Sequence, residues 1–136
     1  SWASCEKISD EPAFSVEPHI RLDSLSATEL VEFEDQLHLW IWYEDGDGDL
    51  GTSDPDLNLI TVQDARLSTP DTYYLPPLAP EQARVSIQGR IELVLAPTFV
   101  LGNAPSETTT FTIWFTDRAG HESNHIVTPP ITILKQ

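Results

Sequence analysis

Apolar and polar residues alternate with a period of two along most of this 136-residue chain, helical periodicity hardly appears, and clusters of Gly, Pro, Asn and Asp separate the alternating runs. These observations predict an all-β chain, because successive strand side chains point to opposite faces and strand connections need residues that turn. The runs place strands near residues 19–25 (HIRLDSL), 37–43 (LHLWIWY), 57–64 (LNLITVQD), 83–96 (ARVSIQG and RIELVLA), 109–117 (TTFTIWFTD) and 128–134 (TPPITIL). Between the first two, SATELVEFEDQL offers Ser26 or Thr28 as a helix cap, but the β-rich context on both sides favours an extended edge segment through Val31 and Phe33. The stretch LSTPDTYYLPPLAPEQ holds four prolines and no clear alternation. It reads as a loop along one sheet edge, pinned by Tyr73, Tyr74 and Leu75. About seven short strands in a chain of this length predict an immunoglobulin-like two-sheet antiparallel sandwich. The Cys and Trp signature of antibody domains is absent, so strand count and alternation carry that inference.

The length suits one domain with an ordinary core, here residues 18–136, preceded by a polar, Pro-punctuated tether at 1–17. The formal net charge is −15, from 22 acidic and 7 basic residues, which argues against nucleic acid or an anionic bilayer as partner and favours divalent cations. No apolar run has the length of a membrane-spanning helix. The single cysteine, Cys5, follows Ala3 and Ser4, small residues that resemble the end of a bacterial lipobox, in which the Cys carries a lipid. The charged and apolar regions of a signal peptide are missing and Trp2 stands where Leu is usual, so a free Cys on a loose terminus is the alternative.

The stretch EDGDGDLGTSDPD, Glu44 to Asp56, packs six carboxylates into thirteen residues without a Lys or Arg. Asp45, Asp47 and Asp49 alternate with Gly46 and Gly48, a spacing that lets side chains converge on a hard cation while glycines take unusual backbone angles. Calcium is the expected occupant. The EF-hand template fails, since Leu50 stands where the sharp-turn Gly belongs, Asp56 replaces the bidentate Glu, and the flanks are strands. A calcium loop in a β context is expected instead, with Asp54 or Asp56 returning to the ion. A solvated acidic turn is the alternative reading. In an immunoglobulin-like sandwich the loops after LHLWIWY and TTFTIWFTD lie at one end, so Asp117 should face the acidic loop, with Arg118 as an alternative source of positive charge.

Leu37, Leu39, Ile41 and Tyr43 share one strand face and His38, Trp40 and Trp42 the other, while Trp114 lies opposite Phe111, Ile113 and Phe115. If the aliphatic faces form the core, three tryptophans point outward and offer a contact for a partner protein or glycan. Cover by the Tyr/Pro loop or the tether is the alternative. His121 and His125 would suit a transition metal only on a helix. No nucleophile or zincin motif occurs, and the clustered carboxylates are better explained by a metal than by glycoside chemistry, so the chain reads as a non-enzyme. Asp23-Ser24-Leu25 resembles the short acceptor motif for O-glycans in Bacteroidetes, with Ser24 the acceptor.

Taken together, YEDGDGDLG after an alternating strand, then DPDLNL, YYLPPLAP, VSIQGRIEL and TTTFTIWFTDRAGHESNHIVTPPITI resemble surface lipoproteins of Bacteroidetes, over about Pro18 to Leu134. The acidic residues after Cys5 (Glu6, Asp10, Glu11) resemble the export signal of such lipoproteins. The resemblance implies a lipid-anchored, calcium-binding β-sandwich at the outer-membrane surface, attached through its lipid alone, and implies no activity. The expected role is a calcium-stabilised binding or accessory subunit of an outer-membrane protein complex or for another surface protein. A carbohydrate-binding module using Trp40, Trp42 or Trp114 is the second reading.

Overall fold

The computed structural model describes residues 15–80 and 82–136, and Cys5 with most of the expected tether lies outside them. The described residues contain ten strands and no helix: β1 (His19–Leu25), β2 (Glu29–Val31), β3 (His38–Asp45), β4 (Ile60–Asp64), β5 (Asp71–Tyr73), β6 (Ile87–Val94), β7 (Ser106–Thr109), β8 (Phe111–Phe115), β9 (Ile126–Val127) and β10 (Ile131–Leu134). They form three sheets, ordered β1-β3-β6, β2-β10-β7 and β5-β4-β8-β9, around one shared core. The architecture is all-β and sandwich-like.

Alternation explains which side chains meet. Leu39, Ile41 and Tyr43 of β3, Ile60 and Val62 of β4, and Phe111, Ile113 and Phe115 of β8 all point inward and are buried in one cluster with Ile20, Leu93 and Ile131. Gly89 sits opposite Tyr43 in the β3–β6 ladder, and a Cβ there would fall 2.6 Å from the Tyr43 hydroxyl. The missing side chain makes room for that ring, so β6 runs unbroken through what the sequence divides into two segments.

Ten strands replace the expected seven for local reasons. The run at 109–117 is two strands, because Thr110 is the point where the chain passes from the sheet of β10 to the sheet of β4. β2, β5 and β9 are edge pieces of two or three residues, too short to show alternation. Nor is pairing wholly antiparallel, since β2 lies parallel to β10. Val31 ends β2, and Phe33 is not extended but left-handed at φ 62°. The turn is closed by Val31, whose carbonyl accepts from Glu34 and Asp35 N–H and whose N–H donates to the Asp35 carboxylate, while the buried Glu32 carboxylate accepts bonds from the backbone N–H of Val100 (2.9 Å) and of Gln136 (3.1 Å).

β3 and β8 run toward one pole of the sandwich, and β4, antiparallel to β8, runs toward the other. At that second pole the inward series Ile60, Val62 ends on Asp64, which is buried. Arg66 joins Asp64 at 2.8 Å and Glu107 at 2.7 Å, and the Thr109 hydroxyl donates to Asp64 at 2.7 Å. Burial pushes the Asp64 carboxyl up, but the bonds from Arg66 and Thr109 outweigh it and hold it below the usual carboxylate range. A group with a depressed native value contributes stability above its unfolded value, near pH 4, that is lost as pH falls through the native one. Arg66→Ala leaves a buried carboxylate without its partner and should cost about 3–5 kcal/mol in urea denaturation at neutral pH. The same variant should lose much of the acid-side fall in stability that the parent shows below about pH 4.

Candidate metal centre

At the first pole the inward series of two facing strands also ends on carboxylates. β3 carries its alternation from Tyr43 to Asp45, and the chain leaving β8 carries it from Phe115 to Asp117; the two aspartates are 0 % and 1 % exposed. The loop after β3 brings Asp47 and Asp49, both half-buried, to the same place. One carboxylate oxygen from each of Asp45, Asp47, Asp49 and Asp117 lies within 4.8 Å of the others. Two oxygens on opposite sides of a cation held at about 2.4 Å are separated by about that distance, so this cluster can hold one metal ion.

The surroundings keep the loop in this shape. Gly46 donates to the Ser15 carbonyl (2.7 Å) and accepts from the Ser86 hydroxyl (2.9 Å). Gly48 and Gly51 are left-handed, and a Cβ on Gly51 would stand 2.0 Å from the Pro76 carbonyl oxygen. The Tyr/Pro segment lies along the loop itself: Thr52 N–H donates to Leu75 O, Leu78 N–H to Leu50 O, and the Tyr74 hydroxyl to Thr52 O. Leu75 is buried, and β5 fixes the start of the segment on the edge of β4. Arg118 clamps from the other side, its backbone N–H on Asp49 O (3.1 Å) and its guanidinium on Gly51 O (2.6 Å).

Electrostatically the cluster is incomplete. Both carboxylate oxygens of Asp45, and one each of Asp47 and Asp49, are buried without a hydrogen-bond partner. Burial, then the nearby carboxylates of Asp47 and Asp45, and then Asp117 push the Asp49 carboxyl up to about 8. Burial foremost, with Asp47 and Asp117 adding to it and Asp49 partly opposing it, also raises Asp45. Among the described residues the Asp117 carboxylate does have a protein partner, accepting from the His121 backbone N–H at 2.8 Å and facing the His121 ring at 3.0 Å. That contact holds the His121 imidazole above its usual range. Buried acceptors without donors require a cation or a proton, and all-carboxylate oxygen donors suit a hard divalent ion.

Asp54 and Asp56 stand apart from the cluster. Both are exposed, and the Asp54 carboxylate accepts from Asp56 N–H, closing a local turn instead of returning to the ion. The left-handed Gly51 directs the chain away before Asp54 is reached. Trp40, Trp42 and Trp114 point away from the core but are half-buried, each covered by a flat polar side chain: Trp42 by Arg21 at 5.4 Å, Trp40 by the His38 ring at 6.2 Å, and Trp114 by the His125 ring at 4.2 Å. Neither the Tyr/Pro loop nor a shared platform accounts for them, for Trp114 belongs to a different sheet from the other two. His121 and His125 therefore serve separate contacts. Ser24 is exposed on β1 and accepts from Arg90 at 3.3 Å. Sequence reasoning missed the Arg118 clamp and the His121 contact to Asp117; both depend on the tight turn at Gly120, which is left-handed.

No protein-family model matches the chain, and no curated protein or solved structure matches it.

With divalent ions chelated, carboxyls raised above their unfolded values should make the fold more stable in mild acid. That contribution is full below about pH 4 and is lost as pH rises through the native values, up to about 8 for Asp49. The melting temperature of chelated protein should therefore fall between about pH 5 and pH 9. Asp45→Asn should raise the melting temperature of chelated protein at pH 8, by removing a buried charge, and lose any stabilisation by added metal.

Proposed function

We propose that this chain is a calcium-stabilised, immunoglobulin-like domain of a surface-exposed outer-membrane lipoprotein. It acts without catalysis, as a binding or accessory subunit of an outer-membrane protein complex. Calcium is supported above all by Asp45, whose two buried oxygens have no donor inside a group of four converging carboxylates. Magnesium demands stricter octahedral geometry and gives up its water reluctantly, and zinc favours the nitrogen and sulfur donors that this group lacks. The surface placement is supported by the residues before Cys5 and by the resemblance to Bacteroidetes surface lipoproteins. A calcium concentration in the millimolar range, as found outside cells, matches the weak sites of extracellular modules.

Calorimetry on chelator-stripped protein should find one calcium site, with a dissociation constant of roughly 10⁻⁴ to 10⁻³ M. At ten times that constant the ion should add about 1.4 kcal/mol, a rise of about 5 °C in melting temperature for a domain of this size. Asp47→Ala and Asp117→Ala should each abolish that rise, whereas Asp54→Ala and Asp56→Ala should leave it unchanged. No heat of binding at millimolar calcium would overturn the metal reading. Mass spectrometry of native protein beginning at a lipidated Cys5, and co-purification of a membrane partner, test the rest.

The second reading, a glycan-binding face, now narrows to Trp40 and Trp42 on β3. Opposite Trp42 stand Arg21 and Arg90, and opposite Trp40 stand Ser24 and Glu92, hydrogen-bonding groups beside a stacking surface. Trp40→Ser with Trp42→Ser should abolish binding on a glycan array while leaving the calcium response intact. An array on which the parent chain binds nothing would remove this reading.

A further inference from the structure

Asp45 and Asp117 form the floor of the metal centre, and Asp47 and Asp49 line an open cavity of about 440 Å3 above it. The rest of its wall is Arg84, Arg118 and His121, with Ala83 and Ala119 between them. We propose that this cavity is a recognition site for the carboxylate of an acidic peptide segment on a protein partner, which coordinates the bound ion directly and pairs with Arg84. The proposal rests on the calcium reading and extends it from a structural ion to a ligand-binding one.

Coordination number supplies the first reason. Calcium takes about 6–8 oxygens, and four aspartates bound through one oxygen each leave at least two positions for other oxygens, with the open cavity beside the cluster as a route to them. Charge supplies the second. The chain has only 7 Lys and Arg against 22 acidic residues, yet two arginines and a histidine border this one opening. Four aspartates and a divalent ion carry a net −2, and the guanidiniums at the opening lower the repulsion that an approaching carboxylate meets. Arg84 is exposed and makes no hydrogen bond or ion pair with another described residue, leaving its fork for a carboxylate, which it can grip through two parallel bonds. Arg118 is positioned by its bond to the Gly51 carbonyl.

Shape and lining choose the ligand. The cavity is within the usual range for small-ligand sites, about 300–1,000 Å3, and the two alanines keep it wide enough for a side chain. No Phe, Tyr or Trp ring lines it among the described residues, so a sugar would lack the broad stacking surface it usually uses.

The test replaces calcium with europium in the full chain and counts ion-bound waters from luminescence lifetimes in H2O and D2O. The proposal expects at least two waters on the ion. A blocked Gly-Glu-Gly peptide at millimolar concentration should displace one or more of them, and its Gln counterpart should displace none. Arg84→Ala should weaken the peptide about tenfold while europium affinity stays within about twofold. An ion with no bound water, a water count that the acidic peptide leaves unchanged, or displacement by galacturonate alone would overturn the proposal while leaving the metal reading standing. Failure of europium and calcium alike to bind would overturn both.

Discussion

Strand alternation at one pole of this sandwich forces two carboxylates into its interior. β3 and the chain leaving β8 come from different sheets, each continues its inward face one step beyond the apolar residues, and each finds Asp there. At an effective dielectric of about 20, two unit charges 4.8 Å apart repel by roughly 3 kcal/mol. Four such groups cannot all remain ionised in a fixed loop without a counter-charge. The Ser15, Leu75, Leu78, Ser86 and Arg118 contacts that hold the loop are thus contacts that hold repelling charges together. The geometry is set by backbone and hydroxyl hydrogen bonds together with the Arg118 guanidinium on the Gly51 carbonyl, and most of the negative charge is left for something else to balance.

The opposite pole shows what a closed solution looks like. Asp64 also ends an inward apolar series, but Arg66 lies two residues away, and Thr109 and Glu107 complete the network. There the carboxyl is held below its ordinary range; at the metal pole Asp45 and Asp49 are held above theirs. The same fold feature therefore has opposite electrostatic outcomes at its two ends. A side chain resolves one and leaves the other open to a dissolved cation, whose concentration the surroundings set.

Much of this was legible in the sequence because it follows from a period of two. The inward row Leu37, Leu39, Ile41, Tyr43 reaches Asp45 when extended by one step, and Phe111, Ile113, Phe115 reaches Asp117 in the same way. That loops following two such strands meet at one end was a topological inference, and the two aspartates do meet. Asp54 and Asp56 misled because a twelve-residue acidic loop invites closure on itself, and nothing local reveals that Gly51 bends the chain onto Pro76. The tryptophans were placed on the correct face, but their covers come from Arg21 across the β1–β3 ladder and from ring neighbours, and register of that kind is a tertiary property. Strands of two or three residues, such as β9, have too little length to carry a pattern at all.

Hydrogen bonds tie the first and last described residues to opposite poles of the domain. Ser15 is tied to Gly46 in the acidic loop, while Gln136 is tied to Glu32 at the opposite pole. Ser15 leads into β1 and Gln136 follows β10, so a pull between these two residues enters along β1 and β10 and loads the β1–β3 and β10–β7 ladders in shear, with several hydrogen bonds sharing the force instead of unzipping one after another. The carboxylate cluster lies at the pole where β1 begins, between the ends of β3 and β8, which belong to different sheets. A cation bound there would act as a rivet joining one sheet to the other at the loaded end.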